Sequence, residues 1–90
     1  MDKPIYATRR FRSTWRTLDD KLKERVIDLI LALPDLLARP HQHTGSALRR
    51  LQGSRFWEAR LDLRWRLILR ISAEDVVLFD VMNHDQVRRL

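Results

Sequence analysis

Glu58, Arg60, Arg66 and His84 are the side chains whose types and spacing can do chemistry together. Two lie in Trp57-Glu58-Ala59-Arg60, one in Trp65-Arg66-Leu67-Ile68 and one in Asn83-His84-Asp85. They supply a carboxylate, an imidazole and two guanidinium groups, a set that suits cleavage of an RNA backbone without a metal. A base must take the proton of the 2′-hydroxyl, an acid must protonate the leaving 5′-oxygen, and cationic donors must hold the charge that builds on phosphate. Glu58 as base and His84 as acid, or the reverse, with Arg66 and Arg60 on the phosphate, fill these roles. Plainer roles stand beside them: Glu58 as a cross-strand ion pair with Arg60 or Arg66, and His84 as the cap of a turn. Arg66 is harder to dismiss, because apolar residues flank it on both sides.

These residues need elements to position them. From Leu51 to Ile71, apolar residues at Trp57 and Leu61, then Trp65, Leu67, Leu69 and Ile71, alternate with charged ones. Period-two alternation predicts two half-buried strands folded as a hairpin. The other parity carries Glu58, Arg60, Asp62, Arg64, Arg66 and Arg70, so one face packs on a core and the other presents arginines. The link falls near Asp62 to Trp65, and its lack of Gly or Asn gives no two-residue turn signal. Gly53-Ser54 reads as a turn before the hairpin, and Ser72 to Asp75 as a polar turn after it. Val76 to Met82 is the most apolar strand and belongs in the middle of a sheet, with His84 just past its end.

The N-terminal half reads as helical. Ile5 to Thr8 is a short strand, and Arg9 to Trp15 a short helix with Phe11 and Trp15 on one face. Thr17 fits an N-cap, with Asp19 and Asp20 in the first turn. Leu18, Leu22, Val26, Leu29 and Leu33 then form the stripe of an amphipathic helix, which Pro34 ends. Val26 to Leu33 is apolar nearly all round, so a second face of this helix is also expected to be covered. Residues 34–47 read as a loop or a frayed last turn, in which Leu36 and Leu37 can still pack. His41 and His43 alternate within it but have no third ligand of a usual type nearby, so no metal or other cofactor is expected.

Helices followed by runs of strand indicate an α+β fold: two N-terminal helices packed on a small, mostly antiparallel four-stranded sheet. Ninety residues make a single domain spanning 1–90. Without cysteine, disulfides and thiolate chemistry are excluded, which fits a reducing cytoplasm. Neither a secretion signal nor a bilayer-length apolar run is visible, so a cytoplasmic protein with no membrane partner is expected. Lys plus Arg number 18 against 12 Asp plus Glu, a formal charge of +6, mostly arginine. Such a balance fits a simple basic domain, a nucleic-acid partner, or an acidic protein that masks the surface.

At these residues the sequence resembles the RelE/ParE superfamily, the toxins of type II toxin–antitoxin modules. The resemblance rests on the two-helix opening, the Leu48 to Gly53 element, the Trp57-Glu58-Ala59-Arg60 and Trp65-Arg66-Leu67-Ile68 strand pair, and the apolar strand closing in Asn83-His84-Asp85. It covers nearly the whole chain. It implies an mRNA endonuclease acting on the ribosome through a basic cleft on the sheet. It also implies a cognate antitoxin that wraps the toxin, with Phe11, Trp15 and part of Val26 to Leu37 as its seat. By this resemblance Glu58, Arg66 and His84 are the catalytic positions and Arg60 is a basic position of the same strand; of the other arginines, Arg64, Arg70 and Arg88 are expected to contact RNA phosphates. Many members carry a tyrosine near the C-terminus. Val87 or Arg88 stands there in this chain, and its one tyrosine is Tyr6. The alternatives are the ParE-like inhibition of DNA gyrase without nuclease activity, and a non-toxic relative of the fold.

Overall fold

In the computed structural model, which describes residues 3–38 and 48–90, the elements run β1 (Ile5–Ala7), α1 (Arg9–Trp15), α2 (Asp20–Ala38), β2 (Arg49–Arg50), β3 (Trp57–Arg60), β4 (Trp65–Ile71), β5 (Val76–Asn83) and α3 (His84–Val87). The strands form one sheet in the order β1-β5-β4-β3-β2. Three neighbouring pairs are antiparallel and β1 runs parallel to β5.

The α+β class is as expected, with two corrections to its parts. The sheet has five strands rather than four. The added strand, β2, is two exposed arginines whose backbone pairs with Trp57 and Glu58, and nothing in Arg49-Arg50 itself signals a strand. A third helix, α3, closes the described chain. Asn83 caps it by a reciprocal pair: Gln86 N donates to Asn83 Oδ1 and Asn83 N donates to Gln86 Oε1, both at 2.9 Å.

Helix α2 forms because its apolar stripe is buried, since a 19-residue helix gains most of its stability from packing. Leu22, Val26 and Leu33 are buried, with Leu18 and Leu29 packed at the margin. The cap is Asp19, not Thr17: Leu22 N donates to Asp19 Oδ1 at 2.8 Å, whereas Thr17 turns its hydroxyl back to the Thr14 carbonyl. Nor does Pro34 end the helix. The helix continues to Ala38 because Leu33 and Leu36, at 0% and 4% exposure, anchor both sides of the proline in the core. The expected second covered face is not found: Ile27 and Leu31 are 45% and 74% exposed.

Against α1 and α2 the sheet presents Ala59, Leu61, Leu67, Leu69, Val76, Leu78 and Val81. This is the parity read from the alternation. The opposite parity is not wholly solvated. Ile68 and Met82 are 0% and 2% exposed there, so the far face has an apolar centre with charged groups around it. The register with β5 shifts between Ile68 and Leu69 of β4, where Phe79 of β5 is the extra, unpaired residue. Among the described residues, no helix is long and apolar enough to cross a membrane.

Candidate functional site

Strand register arranges the far face in rows. One row is Glu58, Ile68 and Asp80, and the next is Arg60, Arg66 and Met82. Beyond them lies the turn that joins β3 to β4. Its geometry is set by Asp62, whose Oδ1 accepts from Arg64 N at 2.8 Å and Trp65 N at 2.7 Å. A short acidic side chain bonding its own backbone two and three residues on does the work that Gly or Asn does in a tighter turn.

The carbonyls of this turn hold two of the expected site residues. Arg66 is 8% exposed, and its Nη1 donates to Asp62 O at 2.7 Å and to Trp65 O at 3.0 Å. Burial of a guanidinium is tolerable only with such partners. His84 N donates to Arg64 O at 3.1 Å, which ties the start of α3 to the same turn. The imidazole is exposed. Arg64 is exposed beside them, its guanidinium 5.5 Å from the Trp65 ring centre. Arg88 is exposed one turn after His84, with its N–H on the His84 carbonyl at 3.4 Å. Arg60 lies directly opposite Arg66. Arg60, Arg64, Arg66, His84 and Arg88 therefore collect at one end of the sheet.

Glu58 and Arg70 do not join them. Glu58 is 6% exposed, and its Oε1 accepts from Arg49 Nε at 2.7 Å, on the edge strand away from β5. Its ion-pair partner is Arg49, not Arg60 or Arg66. Two rows and two strands separate Glu58 from His84, about 16 Å between Cα atoms at about 3.3 Å per residue and about 4.8 Å per strand. Arg70 pairs with Val77 near the opposite end of β4.

Five residues that gather here are not singled out by the sequence: Asp80, Arg10, Arg49, Phe56 and Phe79. Asp80 is a buried carboxylate whose Oδ2 accepts from Arg10 Nε at 2.8 Å and whose Oδ1 accepts from Val81 N. Arg10 and Arg49 hold the two carboxylates of one row from opposite sides, and both arginines remain more than half exposed. The available signal was a lone Asp inside the most apolar strand, which must find a donor if it is buried. Phe56 and Phe79 pack nearby as a tilted pair with ring centres 4.7 Å apart, and Arg10 lies 5.1 Å from the Phe79 ring centre.

No group of three or more His, Cys, Asp or Glu side chains placed to hold a metal occurs among the described residues. His41 and His43 lie outside them.

No family model matches the sequence, and no curated protein matches it. Solved structures do match. A chain of the Escherichia coli DinJ-YafQ toxin-antitoxin complex superposes with a TM-score of 0.76 at 14% identity, covering 97% of this chain and 98% of that one. The YoeB/ParE toxin from Agrobacterium tumefaciens gives 0.65 at 19% identity, over 90% and 98%. A chain of the RelB-RelE antitoxin-toxin complex from Methanococcus jannaschii gives 0.65 at 7% identity, over 93% and 95%.

Proposed function

We propose that this chain, whose backbone has the fold of the RelE/ParE toxins, is the toxin of a type II toxin–antitoxin pair and cuts messenger RNA on the ribosome. One observation carries the reading: Arg66 and His84 are fixed on carbonyls of the same turn, at the basic end of the sheet. In this reading the 2′-oxygen loses its proton, attacks phosphorus and expels the 5′-oxygen, which gains a proton. Arg66 and Arg60 hold the phosphate as its charge builds. His84 carries a proton to or from one of the two oxygens. Arg64 and Arg88 hold neighbouring phosphates. Glu58 serves by aiming Arg49 along the sheet edge rather than as the base, because its oxygen is engaged and distant from His84.

The antitoxin seat in this reading is the groove between α1 and α2. Phe11, Trp15, Ile27 and Ile30 line it, with Arg12 and Arg16 on its rim and about 440 Å³ of space. An apolar stripe left open on a small protein marks a contact surface.

The test is expression of the wild type, Arg66→Ala and His84→Ala in growing cells. The expected result is growth arrest by the wild type, with a rapid fall in incorporation of a labelled-methionine pulse, and loss of both effects in the variants. Arrest by all three proteins alike would overturn the assignment. A second reading, inhibition of DNA gyrase without chemistry, is favoured by one fact: Glu58 is committed to Arg49, which leaves His84 without the expected carboxylate. Filamentation with sustained methionine incorporation would select it.

A further inference from the structure

A second groove opens on the other side of the β3–β4 turn, sharing Arg60 and Arg64 with the RNA reading above and extending beyond it. It holds about 700 Å³ between α2 and the turn. Leu29, Leu61 and Trp65 contribute apolar surface, and Arg25, Arg60, Arg64 and Asp62 contribute charge. Arg25 Nη1 is anchored on Leu61 O at 3.0 Å, so one cation is held in place at the groove. At the tip stands Leu63, 87% exposed, the most exposed of the large apolar side chains. A single exposed leucine is ordinary by itself. Beside an apolar groove with three guanidinium groups it has a use, because nucleic-acid proteins place apolar side chains against unstacked bases and cations against the adjoining phosphates.

Arg60 decides the occupant. It lines this groove and also stands opposite Arg66 in the strand register. Directly opposed strand residues have Cβ atoms about 5 Å apart. Arg60 is exposed where the Arg66 row and the groove meet, so a strand held on that row and passing over Arg60 enters the groove one nucleotide beyond the cleaved pair. An acidic peptide would match the charges but has no reason to continue onto the Arg66 row.

The geometry points to a subsite for the nucleotide one step beyond the pair that flanks the cleaved linkage: its base against Leu63, Leu61 and Trp65, its phosphate between Arg25 and Arg64. This subsite rests on the reading that Arg66 holds an RNA phosphate. Recognition of an unpaired base by stacking, with cations on the backbone, is the common mode for single-stranded RNA.

The test measures affinity at low salt for an uncleavable 2′-O-methyl RNA dinucleotide and the corresponding tetranucleotide. Wild type, Leu63→Ser and Arg25→Gln are compared. The wild type is expected to bind the tetranucleotide about tenfold more tightly, the scale of one added stacking contact. Both variants should lose that gain and keep the dinucleotide affinity. Leu63 lies on an exposed turn, so its variant decides the matter if Arg25→Gln fails to fold. A gain that persists in Leu63→Ser overturns the subsite alone, as does equal binding of both oligonucleotides by the wild type. Binding of neither oligonucleotide removes the RNA reading together with the subsite. Loss of antitoxin binding in the variants with the length gain intact assigns the groove to protein and overturns the proposal.

Discussion

Arg60 stands directly across β3 and β4 from Arg66, a like-charged pair in the register of an antiparallel ladder. Such a pairing destabilises a sheet. It is relieved here because Arg66 turns its Nη1 onto two carbonyls of the turn, while Arg60 stays exposed. A residue chosen for stability alone would not be a second arginine. Arg60→Thr is accordingly expected to raise the unfolding free energy by about 0.5 kcal/mol in urea titration. The same change should weaken RNA binding and lower the slope of log affinity against log salt by about one.

Glu58 and Arg49 separate the structural from the catalytic reading of the carboxylate. If Glu58 serves to aim Arg49, Glu58→Gln keeps RNA cleavage within about threefold, whereas His84→Gln falls at least 100-fold, the usual scale for a proton-transfer group. Arg49→Ala leaves the buried Glu58 carboxylate without its partner and should cost about 1–3 kcal/mol in urea unfolding. Cleavage rates and unfolding midpoints on the same three proteins provide the check.

Pro34 sits inside α2 on the exposed side, where it removes one helical N–H. Pro34→Ala restores that donor without disturbing Leu33 or Leu36. It should stabilise the protein by about 1–3 kcal/mol, seen as a higher unfolding midpoint. Leu33→Ala, by contrast, opens a hole at a fully buried position and should cost about 2–5 kcal/mol in the same measurement.

Most of the sheet was legible because half-burial writes itself into a strand as alternation. Trp57, Leu61, Trp65, Leu67 and Leu69 fall on the helix side as their parity requires. The turn between the strands fell in the right place without its usual residues, because Asp62 supplies acceptors from its side chain instead. What periodicity misses is pairing. Arg49-Arg50 becomes a strand only because β3 offers it an edge, and Asp80 is buried only because Arg10 reaches it from another element. Pro34 misleads for the same reason: local preference for stopping is outweighed by burial on both sides. The site followed the same rule. Types and parity pointed to Arg60, Arg66 and His84, but the row spacing that separates Glu58 from His84 exists only once register is fixed.

Ile27 is 45% exposed on the lip of the α1–α2 groove. Ile27→Asp should leave the fold and the RNA activity as they are and weaken antitoxin binding by about tenfold or more, since a charge then replaces an apolar contact in a desolvated interface. Co-purification and titration calorimetry with the antitoxin measure it, with cleavage as the control.

The parallel pairing of β1 with β5 carries a consequence for how the molecule is made. Thr8 at the end of β1 bonds Phe79 of β5, 71 residues away in sequence. Contacts this remote close late, because the intervening chain must first be ordered. On a translating ribosome, β1 waits for its sheet neighbour until β5 emerges. Under the proposed function, the sheet that carries Arg66 and His84 is complete only when these remote segments meet.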